Sequence, residues 1–284
     1  MSAATPNPSP SDDLALEVHG LARSFRRPFS RSRTQAVADL DLGVRRASFV
    51  HVAGPNGAGK STLLRLIAGL DRPDQGRVTV LGGSPRSPSR AHRVAFAPDH
   101  ADLPPHLTAD EMLAFYSGIH GGDRRAEVDS WRRRLGIDRF GGTRLGRCSL
   151  GMRKRVALAG VLIGRPEILL LDEPRSGLDP EAIDLLSGIL EEEKGRGATI
   201  LMSSHDVERI EPAVDRVLVL KAGRLFFDGT VDALCRAVGE SAVEVRSSAG
   251  ADPDALVSAI ASAGGVIRAR GLPLAAFARF VADA

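Results

Sequence analysis

Nine consecutive residues, Gly54, Pro55, Asn56, Gly57, Ala58, Gly59, Lys60, Ser61 and Thr62, carry the sharpest chemical pattern in the chain. Gly54, Gly59, Lys60 and Ser61 fit G-x-x-x-x-G-K-[ST], a phosphate-binding loop. Glycines leave no Cβ in the way, so backbone N–H groups can curl around a β-phosphate. Lys60 supplies a compact charge to the β- and γ-phosphates, and the Ser61 hydroxyl can ligate Mg²⁺. Composition sharpens the reading. The chain holds 34 Arg but only four Lys, and one of the four stands here. A flexible point charge suits this position better than a planar fork. The plainer alternative is an ordinary glycine turn before a helix.

Asp172 and Glu173 follow the apolar run Ile168-Leu169-Leu170-Leu171. Mg²⁺ is usually held by one or two carboxylates together with phosphates and water. Asp172 is therefore the expected metal partner of the loop. Glu173 beside it can polarise an attacking water, which is worth about 10²- to 10⁴-fold. A pair of helix-capping acids is the bland reading of the same residues.

These groups need a scaffold that delivers them to one place. Residues 49–53 read as a short buried strand before the glycine loop. Leu63, Leu64, Leu66 and Ile67 then repeat at helical spacing, ending near Gly69. Leu14, Leu16 and Val18 alternate like a strand, as do Val37, Leu40, Leu42 and Val44. Residues 77–81, 93–97, 168–171 and 199–203 are further short strands, and 216–220 with 224–227 form a hairpin. Residues 149–163 and 182–194 read as helices. Strands alternating with helices argue an α/β fold with phosphate chemistry at the strands' carboxyl ends. The stretch 99–148 differs. Thr108 with Glu111 makes a capping box ahead of one helix, and 127–135 is a second, so a small helical subdomain is inserted here. Residues 1–13 read as disordered, 26–34 as an exposed basic loop, and 241–284 as a small α+β tail with a strand at Val243 and Val245 and a helix over 254–263. The cassette proper spans 14–240.

The bulk numbers exclude several classes. Of 284 residues, 43% are hydrophobic and 26% charged, the balance of a soluble globular protein. The N-terminal residues lack the apolar core of a secretory signal. No apolar run is long enough to span a bilayer. Cys148 and Cys235 show neither metal spacing nor a disulfide framework. The net charge of +3 permits a nucleic-acid or membrane partner but also follows from arginine-rich composition alone.

In their order, these motifs resemble the ATP-binding cassette (ABC) ATPases, over roughly residues 14 to 235. Residues 149–155, SLGMRKR, are similar to the SLGMKQR form of the family signature found in drug- and polyketide-export cassettes. Residues 176–179, SGLD, match the family's D-loop, and His205 matches its switch histidine. Phe25 falls where the family stacks an aromatic ring on adenine, although a core role is the alternative. The resemblance implies a P-loop NTPase fold with a mixed β-sheet core, an N-terminal antiparallel part and an inserted helical subdomain. It implies ATP and Mg²⁺ as ligands, with Ser61 and Asp172 at the metal. It gives Lys60, Glu173 and His205 the catalytic roles. Ser149, Gly151 and Asp179 would complete the site of a second cassette bound head to tail, as a homodimer or a heterodimer.

Three departures from the family pattern stand out. Pro98 is followed by Asp99 and His100 where the family places a glutamine. A carboxylate about 4 Å from the γ-phosphate would repel it by about 4 kcal/mol at an effective dielectric of about 20. The expectation is that Asp99 acts in the metal's outer shell and couples the sheet to the helical subdomain; a plain turn residue is the alternative. Phe25 replaces the more usual Tyr, and Cys148 replaces an apolar residue. The implied function is the nucleotide-binding subunit of an exporter. It would work with a separate transmembrane permease, on the cytoplasmic face of the membrane, with no direct nucleic-acid contact. Two other readings remain: a soluble ABC ATPase acting on nucleic acid or ribosomes, and a regulatory cassette that binds ATP without useful turnover, for which Asp99 is the only support.

Overall fold

The computed structural model describes residues 13–26, 33–90, 92–205 and 210–238. The expected disorder before Asp13 and the expected tail over 241–284 lie outside these residues. In chain order the first half forms strands β1 (Leu14–Arg26), β2 (Arg33–Arg45) and β3 (Phe49–Ala53), helix α1 (Lys60–Ile67), and strands β4 (Gln75–Val80) and β5 (Val94–Ala97). Helices α2 (Ala109–His120), α3 (Arg125–Arg134) and α4 (Leu150–Leu162) follow. The rest is β6 (Ile168–Leu171), α5 (Pro180–Gly195), β7 (Thr199–Ser204), β8 (Arg216–Lys221), β9 (Arg224–Gly229) and α6 (Val231–Val238).

The strands build two sheets. An antiparallel sheet has the order β2-β1-β4, and a six-stranded sheet runs β5-β6-β7-β3-β8-β9. In the larger sheet every neighbouring pair is parallel except β8 with β9. This is the expected mixed sheet with an antiparallel N-terminal part. Both faces of the larger sheet are covered, and its strands divide their side chains between two cores by simple alternation. Phe49 and Ala53 of β3, Leu169 and Leu171 of β6, and Val217 and Val219 of β8 face one core, shared with α4 and α5. Val50 and Val52, Ile168 and Leu170, and Leu218 and Leu220 face the other, shared with α1 and the small sheet. Each fully buried Leu, Ile or Val contributes about 1.5–3 kcal/mol. A register slip of one residue would exchange the two cores' side chains.

Because the strands β5, β6, β7 and β3 are neighbours and parallel, their carboxyl ends lie along one edge of the sheet. Pro98, Asp172, His205 and Gly54 are each the first residue beyond one of these ends. The two inserted helices, α2 and α3, leave the sheet after β5 and return through α4. Thr108 caps α2 as expected: its side chain accepts from the Glu111 N–H while the Glu111 carboxylate accepts from the Thr108 N–H.

Three details differ from the sequence reading. The basic loop is shorter than residues 26–34, because β1 runs to Arg26 and β2 resumes at Arg33, with Phe25 paired to Thr34. Helix α5 starts at Pro180, ahead of Ala182, because Asp179 caps it and proline is favourable at the first helical position. Helix α6 has no counterpart in the sequence reading.

His51 is the one polar side chain inside β3. It is fully buried, and neither ring nitrogen has a hydrogen-bond partner among the described residues. Burial, and then the positive charges of Arg175 and Lys60, push its pKa from 6.5 down to about 3. The folded state therefore keeps His51 neutral where the unfolded chain would bind a proton. Stability is full above pH 6.5 and is lost as pH falls from 6.5 towards about 3. Replacing His51 with Leu removes this proton uptake. Between about pH 7 and about pH 5, denaturant titrations should show the variant losing about 2 kcal/mol less stability than the parent. Equal losses would show that His51 takes up no proton on unfolding.

Candidate functional site

Two constraints shape the loop after β3. Gly59 has φ +103° and is the residue preceding α1, which has no side-chain cap. A Cβ on Gly59 would lie 2.0 Å from the Ala36 carbonyl oxygen, and one on Gly54 would lie 2.4 Å from that of Leu220. Glycine is thus demanded here by the chain's own backbone packing as well as by any ligand. The first N–H groups of α1 carry no side-chain acceptor, and a helix start favours an anion.

Lys60 is buried, with its ammonium curled over the loop. It donates to the carbonyl oxygens of Gly54 at 2.8 Å and Pro55 at 3.3 Å, and lies 3.5 Å from Glu173 Oε1. Ser61 Oγ donates to Asp172 Oδ1 at 3.0 Å. Ser203 Oγ, from the end of β7, donates to the same oxygen at 2.6 Å. Asp172 is itself 5% exposed, so this carboxylate is held by two hydroxyls in a nearly dry place. A hydroxyl and a carboxylate oxygen at a helix start are hard-oxygen donors of the kind Mg²⁺ takes. The donor set therefore fits that ion.

Glu173 stands on a left-handed backbone, φ +46°. A non-glycine residue there costs energy and persists only when its surroundings fix it. Its N–H donates to Ser203 Oγ at 3.0 Å, and its carbonyl oxygen accepts from Lys154 Nζ at 2.9 Å. Its carboxylate reaches Lys60 through Oε1, and Oε2 lies 2.9 Å from His205 Nδ1. Lys60, Ser61, Asp172, Glu173 and His205 thus meet at one edge of the sheet.

Other residues singled out in the sequence lie apart from this group. Asp99 Oδ1 accepts from Lys154 Nζ at 3.0 Å, and Oδ2 lies 3.4 Å from His100 Nε2. Its carboxylate is thus drawn to a cation on α4. Ser149 is exposed and caps α4, accepting from the Met152 N–H at 3.2 Å. Gly151 lies against Gly177 and Leu178. Asp179 accepts from the Ala182 N–H at 2.8 Å and lies 3.4 Å from Arg155 Nη2. Phe25 is 40% exposed, so it is not a core residue, and the Arg23 guanidinium sits 4.8 Å from its ring centre. Cys148 is buried, its thiol pKa raised by burial, as a small apolar residue would be placed.

Residues 37–176 match the model of the ABC transporter family. Over 273 residues the chain is 34% identical to the Nod factor export ATP-binding protein I of Bradyrhizobium diazoefficiens, covering 94% of this chain and 86% of that protein. The chain belongs to the ABC transporter family, as one of its ATP-binding proteins. It is also 34% identical over 238 residues to the daunorubicin resistance ATP-binding protein DrrA3 of Streptomyces coeruleorubidus, covering 82% and 73% of the two chains. A solved ATP-binding subunit of an ABC transporter superposes with a TM-score of 0.69 at 28% identity, covering 87% and 99%. A dimeric cassette bound to ADP and phosphate has the same fold, with a TM-score of 0.68 at 23% identity over 76% of this chain and 98% of that one. The cassette is an ATPase, and membrane transporters are the assemblies in which its family works.

Two residues of the cassette's site went unnoticed in the sequence. Ser203 lies in a Ser-Ser-His run, and the hydroxyl types were visible there, but which of them turns toward Asp172 depends on strand pairing. Lys154 is one of only four lysines, so the composition argument made for Lys60 applied to it equally. Ser203 bridges the Asp172 side chain to the Glu173 backbone. Replacing Ser203 with Ala strands the Glu173 N–H, a loss of about 1–3 kcal/mol. We expect ATP turnover to fall by about tenfold, with thermal unfolding showing a fold still intact. Wild-type turnover would mean the bridge is dispensable.

Proposed function

We propose that this cassette hydrolyses Mg²⁺-ATP to power an exporter. What carries the reading is the convergence of Lys60, Ser61, Asp172, Glu173 and His205 beyond the ends of three neighbouring strands. Residues 54–62 cradle the phosphates through their N–H groups, and Lys60 exchanges its carbonyl contacts for the β- and γ-phosphate oxygens. Ser61 and Asp172 would hold the metal ion, which when bound would screen charge on the phosphates. Glu173 orients water and takes up its proton, and His205 contacts the γ-phosphate. Phe25 offers the free face of its ring to adenine.

Two cassettes, either two copies of this one or this one and a second, then bind head to tail. The exposed start of α4, with Ser149 as its cap and no acid in its first turn, faces the γ-phosphate in the partner's loop. Gly151 supplies a backbone N–H there, and Asp179 braces the adjoining turn. Hydrolysis removes the phosphate that bridges the two cassettes, and they part. The cassette unit runs over residues 14–240.

A separate permease receives that motion on the cytoplasmic side of the membrane. Among the described residues no helix is long and apolar enough to cross a bilayer. The inserted helices offer a docking face: Phe115 and Ile119, one turn apart on α2, are 56% and 49% exposed. Large apolar side chains exposed together mark an interaction surface. The relatives named for Nod factor export and daunorubicin resistance support export as the direction. The regulatory alternative had Asp99 as its only support, and the pairing of that carboxylate with Lys154 at 3.0 Å weighs against it.

Glu173→Gln tests the reading. Turnover should fall by about 10²-fold or more, while ATP still binds and ATP-dependent dimers persist on size-exclusion chromatography. Full ATPase activity in this variant would overturn the assignment of Glu173.

A further inference from the structure

Lys154 belongs to the helix that begins at Ser149, yet its side chain is directed inward and is 8% exposed. A buried ammonium must be neutralised and hydrogen-bonded. Both requirements are met by groups beyond the ends of two different strands. Asp99, after β5, supplies the counter-charge at 3.0 Å, and the carbonyl oxygen of Glu173, after β6, supplies a second acceptor at 2.9 Å. In the signature form that residues 149–155 resemble, the place of Lys154 holds Gln. Asp99 likewise stands where the family has Gln. The two departures touch each other: one amide has become a cation and the other an anion, and the pair stays neutral.

We infer that Lys154, balanced by Asp99, is a positioning residue for Glu173. It clamps the carbonyl of Glu173, whose own N–H is clamped by Ser203. Together the two clamps hold the left-handed turn that aims the Glu173 carboxylate past Lys60 and His205. The proposal rests on the reading of Glu173 as the group that activates water. Because Lys154 rides on α4, the tip of that helix and the aim of Glu173 are linked by one side chain. A shift of α4 against the sheet therefore either breaks the 2.9 Å bond or moves the Glu173 carbonyl with it.

Lys154→Met removes the clamp while keeping the apolar stem. A reacting group misplaced by about 1 Å costs about 10²-fold, so kcat of the full-length chain should fall by about 10- to 100-fold. The KM for ATP should stay within about twofold, since the hydrogen bonds of Lys154 go to Asp99 and Glu173 and not to residues 54–62. Asp99→Gln with Lys154→Gln is the rescue. Gln is one atom shorter than Lys and one longer than Asp, so the combined reach is kept, and its amide has two N–H groups for the two acceptors. This double variant should restore kcat to within about threefold of the parent, and it covers the case in which Lys154→Met alone leaves Asp99 unpaired and the fold weakened. Lys154→Met added to Glu173→Gln should slow it no further, because a residue acting through Glu173 has nothing left to position.

The inference is overturned if Lys154→Met keeps kcat within about twofold. It is also overturned if that variant raises KM alone, if the double-Gln variant folds but stays as slow as Lys154→Met, or if Lys154→Met slows Glu173→Gln by the same factor it slows the parent. Failure of the underlying reading looks different: Glu173→Gln alone would then turn over ATP at the parental rate.

Discussion

Glu173 must leave β6 and immediately reverse its backbone into the left-handed region. A strand continued in extended conformation would send successive side chains to opposite faces of the sheet. Asp172 then faces Ser61, and Glu173 would point away from the loop. The φ of +46° breaks that alternation and brings two consecutive carboxylates to one place. Such a turn is unfavourable for a residue with a Cβ. The surroundings over-determine it: a hydroxyl at the Glu173 N–H, an ammonium at the Glu173 carbonyl, and Lys60 and His205 at the carboxylate. Remove enough of these and the residue relaxes to an ordinary strand end.

The glycine loop is a constraint of another kind. Gly59 and Gly54 are pressed by the carbonyl oxygens of Ala36 in β2 and Leu220 in β8, elements from both sheets. The Gly223 N–H donates to the Ala58 carbonyl, and the Ala38 N–H to the Gly223 carbonyl, so the β8–β9 turn fastens the loop to β2. The small antiparallel sheet is therefore more than a cover for α1. It packs against the glycine loop from behind and holds that loop's backbone through these contacts.

Much of this was legible in the sequence. Strand positions followed from short apolar runs, because a parallel sheet covered on both faces needs them, and 168–171 was located to the residue. The loop carried recognisable spacing, Asp172 and Glu173 ended an apolar strand, and His205 stood out through the family resemblance. What stayed hidden were contacts set by crossing chains. Lys154 and Glu173 meet only because α4 packs over the ends of β5 and β6, and no periodicity encodes that crossing. Asp99 looked like an isolated negative charge near phosphate because its partner lies 55 residues away. Phe25 was ambiguous between core and surface because β1 ends in a half-exposed ribbon, where alternation no longer distinguishes the faces.

Asp99 and Lys154 also illustrate why a charged pair and an amide pair are not equivalent solutions. Two amides can each donate and accept, so either can flip and still satisfy a neighbour. An ammonium only donates and a carboxylate only accepts. The sense of every bond is then fixed, and the Glu173 carbonyl can be served by Lys154 alone. Charge-assisted bonds are also stronger than neutral ones, and parting the two ions leaves the buried Lys154 ammonium without its counter-charge. The charged version is consequently stiffer. It ties α4 to the residues beyond β5 and β6 through bonds whose donor and acceptor cannot exchange.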